Sequence, residues 1–251
     1  MASPRPAAGS ALGALAGSYP NPASGHAGTA GPSIFDDFIS TTALNKRWDV
    51  PSGGTNIVEA TTATEIGVVN LTTGAGASDL AVLGCSDQSV FGPALGWQMV
   101  VKVAVGDVTS ETQATGWSGL VATLSGPPTT GTRSFVGFRY DATGSTVDWY
   151  GVCRNGSSET TLDLGVLADT TWRTFAWVAR PNAGWTAIAA VDFYTVSASI
   201  PSNPLWTLVG SITTNIPSEA LCVCISGLKN KTGTYRSLLV DHWSLGGAAG
   251  R

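Results

Sequence analysis

The sequence predicts an all-β protein, an antiparallel β-sandwich preceded by an extended N-terminal arm. Three observations carry that prediction. Of 251 residues only 12% are charged, while Gly numbers 31 and Trp 9. The apolar residues are largely Val, Ile, Leu and aromatics in short runs, the composition of strands joined by Gly-rich turns. Several of those runs alternate apolar and polar residues with period two, and turn-forming clusters punctuate them. A chain of this length holds one large β-domain or two small ones. No composition break follows Pro32, so a single sandwich is the simpler reading.

From Met1 to Pro32 the chain is almost wholly Ala, Gly, Pro and Ser, with Leu12, Leu15 and Tyr19 as its large apolar side chains. Such a segment cannot bury a core of its own. It reads either as a linker or as an arm that orders along another subunit, since isolated Leu and Tyr on a pliable backbone can fill a partner's pockets. The expected organisation is an anchoring arm at 1–32, a sandwich at 33–246 and a short tail at 247–251.

At Ile34 the character changes, and Ile34-Phe35-Asp36-Asp37-Phe38 opens an apolar/polar pattern that runs to Leu245. Candidate strands are 56–59, 65–71, 79–84, 97–105, 116–124, 134–140, 147–153, 160–164, 172–180, 186–194, 205–211, 219–226 and 236–245. Alternation assigns their faces. Trp97, Met99, Val101, Val103 and Val105 share a side opposite Gln98 and Lys102; Val136, Phe138 and Tyr140 oppose Arg139; Leu239, Trp243 and Leu245 oppose Arg236 and His242. One buried and one solvated face is the expectation. Asn155-Gly156 is the strongest hairpin signal, with a loop through Ser157 and Ser158 expected to exceed two residues. No segment predicts a helix longer than one turn, at Thr41 to Trp48.

The net charge of −4 and pI near 5.0 come without any dense Lys/Arg stretch, which excludes a phosphate-neutralising surface and hence nucleic acid as partner. No apolar run approaches the roughly 20 residues of a membrane span, and Met1 to Gly17 lacks the apolar stretch of a secretion signal. The expectation is a soluble protein without membrane insertion. Cys222 and Cys224, two apart on a strand, share a face and are poorly placed to bond each other. No C-x-x-C spacing suggests zinc. Buried reduced thiols are the expectation, and a disulfide from Cys85 or Cys153 to one of the pair stays open.

Two parts of the chain resemble known families. Leu15-Ala16-Gly17-Ser18-Tyr19-Pro20-Asn21-Pro22 resembles the L-x-G-[ST]-Y-P-N-P motif of tailed-bacteriophage appendage proteins. Phe35-Asp36-Asp37-Phe38 with Leu44-Asn45-Lys46-Arg47-Trp48 resembles the opening of concanavalin A-like lectin/glucanase jelly rolls. Phe135-Val136-Gly137-Phe138, Asp169-Thr170-Thr171-Trp172-Arg173, Ala189-Ala190-Val191-Asp192-Phe193-Tyr194 and Leu239-Val240-Asp241-His242-Trp243-Ser244-Leu245 follow the same family's core strands. The resemblance implies a jelly roll whose last strand pairs with its first, and a virion protein anchored through Leu12, Leu15, Tyr19, Pro20, Asn21 and Pro22. It implies other virion proteins as partners, a homotrimer, and a place on the particle surface after assembly in the host cytoplasm.

The residues of a sugar-cleaving jelly roll are missing. Such enzymes place two carboxylates about 5 Å apart, supplied on one strand by E-x-D-x-E. Here Glu59, Glu65, Glu111, Glu159 and Glu219 are each isolated. A Ser-His-Asp site would have to be built around His242, and a solvated strand histidine is the simpler reading. Asp79, Asp87, Asp107, Asp141 and Asp169 fall in or near turns, where Asp is the default turn-former before it is a calcium ligand. No catalytic residue, cofactor or metal is therefore expected. Trp117, Trp185 and Trp206 border Gly or Pro and are the candidates for glycan or subunit contact, whereas Trp48, Trp97, Trp149, Trp172, Trp177 and Trp243 fit strands and are expected in core or interface.

The expected function is a non-enzymatic structural virion protein, a short tail fibre with an exterior lectin-like domain contacting host-surface polysaccharide. A head fibre or capsid decoration protein is the first alternative; a polysaccharide-binding module or depolymerase is the second.

Overall fold

The computed structural model describes residues 30–36, 57–62, 65–84, 96–106, 113–122, 133–141, 147–184, 186–196, 206–219, 221–233 and 235–248. Fourteen strands are described: β1 (Ala30–Asp36), β2 (Ile57–Thr62), β3 (Glu65–Thr72), β4 (Leu80–Gly84), β5 (Trp97–Val105), β6 (Ala114–Val121), β7 (Phe135–Asp141), β8 (Asp148–Asn155), β9 (Ser158–Leu167), β10 (Arg173–Pro181), β11 (Ile188–Val196), β12 (Trp206–Ile212), β13 (Cys222–Asn230) and β14 (Ser237–Ala248). Each of the thirteen candidate strands corresponds to one of β2 to β14. β1 was not among the candidates, because Ala30-Gly31-Pro32-Ser33 carries no alternation of its own; it forms against β14, from Ala30↔Ala248 to Asp36↔Trp243.

The strands make two antiparallel sheets. One has eight strands in the order β12-β11-β10-β5-β14-β3-β2 with β1 also on β14; the other has six, β4-β13-β6-β7-β8-β9. The last strand thus pairs with the first, as the jelly-roll resemblance implies. β14 lends one side to β3 at Ser237–Val240 and then to β1, while β5 runs along its other side.

Between Val240 and His242 the β14 register against β5 shifts, which leaves Asp241 as an extra residue. This bulge corrects the expected face of β14. Leu238 and Val240 lie in the core with Trp243 and Leu245, whereas Leu239 is only partly buried. Period two carried back from Trp243 fails across one inserted residue. Arg236, expected on the solvated side, is buried; it donates to the Tyr235 carbonyl at 2.9 Å and to Gln113 and Thr232.

The main core lies between the sheets and includes Trp97, Met99, Val101, Val103 and Val105 on β5, all on the expected side. Aromatics bridge the two layers. Phe138 from β7 meets Phe175 of β10 at 5.1 Å and Phe193 of β11 at 5.7 Å, and Trp149 of β8 meets Phe175 at 5.4 Å and Tyr140 at 4.9 Å. Such pairs add about 0.5–1.5 kcal/mol each beyond the area they bury. Gly151 makes room for this stack: a Cβ there would stand 2.6 Å from Phe193 Cδ1.

The expectation of one solvated face fails for the central strands. β6 is buried along its whole length and β7 in all but its last residue. A second cluster of Val82, Trp117, Val121, Phe135 and Val152 occupies the outer face of the six-stranded sheet, and a third of Val100, Ala176 and Tyr194 that of the eight-stranded one. Strand sequences that are apolar on both sides meet that demand.

The hairpin between β8 and β9 is tighter than expected. Asn155 pairs directly with Ser158, so the loop is the two residues Gly156 and Ser157. Gly156 has φ 58° at the first central position, where a type II′ turn places glycine.

Candidate functional site

The β8–β9 hairpin forms one margin of the six-stranded sheet, and its outer face is where that sheet opens to solvent. A single cross-strand row runs over this face: Val82, Gly227, Trp117, Arg139, Tyr150 and Asp163 occupy paired positions from β4 to β9. Exposure rises along the row. Val82 and Trp117 are buried, Arg139 nearly so, Tyr150 is half-buried and Asp163 is exposed. Asp148 lies on the same side of β8 as Tyr150, and Thr161 in the next row is exposed as well. The strip of Asp148, Tyr150, Thr161 and Asp163 therefore offers one aromatic ring among oxygen acceptors and a hydroxyl.

Alternation explains why the ring faces out. Trp149 and Cys153 fill the core side of β8, which turns Tyr150, Val152 and Arg154 to the other face. Burial, and then the charges of Asp163 and Asp148, push the Tyr150 hydroxyl above its ordinary pKa, so it stays a neutral donor.

Beside the strip, one carboxylate joins three strands. Arg139 of β7 donates through Nη1 and Nη2 to Glu159 of β9 at 2.7 and 2.8 Å, and Arg154 of β8 donates to the same group at 3.3 Å. Burial alone would raise the Glu159 pKa. The hydrogen bonds and charges of Arg139 and Arg154 outweigh it and hold the carboxyl below the usual range. Arg154 also donates to the Arg133 carbonyl at 3.1 Å. These bidentate and charge-assisted contacts fix the surface next to Tyr150.

The residues singled out in the sequence fall differently. Leu12, Leu15, Tyr19, Pro20, Asn21, Pro22 and Trp185 lie outside the described residues, as does Trp48. Trp117 is 1% exposed and belongs to the outer-face cluster, so its ring is closed to a sugar; it lies within a strand, as the candidate 116–124 has it, and the bordering glycine that singled it out is a strand residue too. Trp206 starts β12, half-buried against Val100, Ala176 and Tyr194. Trp172 precedes β10, partly exposed outside the core cluster, with the Lys102 ammonium 5.1 Å from its ring centroid. Trp97, Trp149, Trp177 and Trp243 are core residues. Tyr150 was missed, although the alternation that placed Trp149 inside could have found it.

Asp79 and Asp169 accept backbone amides of their own turns, from Gly76 at 2.8 Å and Thr171 at 3.0 Å. Asp141 receives Thr115 Oγ1 at 3.0 Å and pairs with Lys231. Among the described residues no group of three His, Cys, Asp or Glu side chains could hold a metal ion, and no helix is long and apolar enough to cross a membrane. Cys153 is a buried free thiol whose pKa burial raises well above the usual range. A hollow of roughly 350 Å³, open mouth included, lies between the sheets against Trp97, Leu120, Trp177, Ile216 and Leu221. Its apolar walls offer a hydroxylated ring little to bond.

No family model matches the sequence, and no curated protein matches it. Solved structures do. A protein of unknown function from Shewanella oneidensis MR-1 superposes with a TM-score of 0.57 at 14% identity, over 100% of this chain and 99% of that one. The legume lectin-like domain from Entamoeba histolytica gives 0.54 at 9% identity, over 85% of this chain and 95% of its own. The fold is a lectin-like jelly roll. A carbohydrate esterase from Shiga toxin-encoding bacteriophage phi24B has the same jelly roll, with a TM-score of 0.50 at 15% identity, over 87% of this chain and 98% of that one. At these identities the likeness is one of fold, and lectin-like jelly rolls serve binding and hydrolysis alike.

Proposed function

We propose that this chain is a non-catalytic, polysaccharide-contacting jelly roll that acts on the surface of a tailed-phage particle, with residues 1–32 as its attachment. The observation that carries the contact reading is the half-buried Tyr150 on the outer face of the six-stranded sheet, with Asp163 directly across from it on β9 and Asp148 two residues before it on β8. A flat ring to stack on a sugar, beside carboxylates that accept sugar hydroxyls, is the chemistry of glycan recognition. Glu159, on the same face of β9, is committed to two guanidiniums and stays ionised. It is thereby unfit to protonate a leaving group.

The particle reading rests on the Leu15 to Pro22 motif. Tyr19-Pro20-Asn21-Pro22 favours a short tail fibre, while the brief span between that motif and the sandwich favours a head fibre or decoration protein. Calorimetric titration of the full chain with purified host-surface polysaccharide tests the contact reading. Saturable binding without new reducing ends is expected; new reducing ends would make the protein a depolymerase. Purified particles carrying a chain deleted for 1–29, which leaves β1 whole, test the attachment: the deleted chain should be missing from them, and its incorporation would refute the arm's role.

A further inference from the structure

We infer that the apolar hollow between the sheets is an acetamido pocket, taking the N-acetyl group of an amino sugar with the Trp177 indole N–H as donor to its carbonyl. The inference rests on the polysaccharide-contacting reading for the bearer of the group, and it concerns a place apart from Tyr150.

The hollow opens at the end of the sandwich where β5 starts and β6 and β10 finish, among Trp97, Leu120, Trp177, Ile216, Glu219 and Leu221. Trp177 is fully buried, and among the described residues its indole N–H meets no acceptor. Buried donors are almost always paired, because leaving one unpaired forfeits the bond it made with water. A dry donor on a residue that walls a hollow is thus a place for an acceptor brought from outside.

Size and polarity select that acceptor. Most of the roughly 350 Å³ is open mouth and gaps between atoms, and the room a bound group can fill is about 30 Å³. That is space for about two or three groups the size of water. A sugar ring is excluded, while the methyl, carbon and oxygen of an acetyl group are admitted. The apolar walls suit the methyl. At the rim the exposed carboxylate of Glu219 can accept the amide N–H, which an acetamido group has and an acetyl ester lacks. A deacetylated sugar offers neither methyl nor carbonyl, and an N-propionyl sugar brings a methylene too many.

Three probes of equal length on the full chain test the pocket: N-acetylated chito-oligosaccharide, its deacetylated counterpart and its N-propionylated counterpart. The acetylated oligomer should bind about tenfold or more tightly than either of the others. In the proton–nitrogen spectrum, the indole resonance that Trp177→Phe removes should shift with the acetylated oligomer and stay still with the deacetylated one. Trp177→Phe keeps a flat ring and deletes the donor, so affinity for the acetylated oligomer should fall about tenfold. Ile216→Phe, at the half-buried rim, should fill the hollow and abolish that binding, and it serves where the Trp177 variant fails to fold. An acetylated oligomer that binds no better than the other two, an indole resonance that does not move, or binding that survives Ile216→Phe would each overturn the pocket. Host polysaccharide binding that depends on Tyr150 would still stand in those cases. If the full chain binds no polysaccharide either, the contact reading fails with it.

Discussion

Gly227 lies directly beneath the indole of Trp117: a Cβ built on the glycine would stand 2.1 Å from Cε2 and 2.2 Å from Cζ2. The two residues are cross-strand partners of β13 and β6, so the ring covers its neighbour's backbone and closes the outer-face cluster. Gly227→Ala should therefore destabilise the protein by about 1–3 kcal/mol, the cost of overpacking. Gly156→Ala is the control. Its Cβ meets nothing within 4 Å and only the positive φ is strained, so about 1 kcal/mol is expected. Urea unfolding of both checks the order. Combining Gly227→Ala with Trp117→Leu should cost less than the two changes summed, since the shorter side chain vacates the clash.

Glu159 gives the fold a pH dependence with a definite sign. Its folded pKa lies below its ordinary 4.5, so the stability it contributes is complete above that value and is lost as pH falls through the folded pKa. Glu159→Gln should cost about 1–2 kcal/mol at neutral pH, because two half-paired guanidiniums remain. The gap between variant and wild type should narrow once pH drops below about 4. Denaturant midpoints at pH 7 and pH 3 decide it; a gap that does not change would mean the ion pair contributes nothing.

Asp192 is fully buried, while the Arg180 side chain that binds it is 36% exposed. Arg180 donates through Nε at 2.6 Å and Nη2 at 3.0 Å, and Ser211 adds its hydroxyl. Removing the arginine strands a charge that water cannot reach, whereas removing the aspartate leaves a guanidinium that water can. Arg180→Ala should thus cost about 3 kcal/mol, and adding Asp192→Asn to it should restore part of the loss. Thermal melts of the single and double variants read the difference directly.

Tyr150→Ala should lower affinity for host-surface polysaccharide about tenfold or more, the loss of a stacking ring, with little change in melting temperature. The side chain sits at the open end of its row and supports only the margin of the outer-face cluster. A variant that melted early and bound normally would mark Tyr150 as a packing residue.

Strand after strand of this jelly roll was legible because alternation is local: Trp97 to Val105 declares its buried side without reference to any partner. The candidate site was less so. Trp117 was chosen for its glycine neighbours, yet Gly116 and Gly119 are glycines so that the Tyr140 ring and the β7 backbone can approach. Those are contacts with another strand that no window around Trp117 contains. Tyr150 was within reach of the same alternation, but nothing local sets it apart from any other outward aromatic until Asp163 is brought beside it.

What the sequence determined by itself was the class and most of the elements: an all-β sandwich, its turns, and the core side of most strands, because those follow from side-chain period and turn chemistry within a few residues. Only the tertiary structure decided which strands are covered on both faces, where the Asp241 bulge shifts the phase of β14, and that Arg139, Arg154 and Glu159 converge. Each of these depends on pairing between segments far apart in the chain, and the free energy of such pairing belongs to both partners at once.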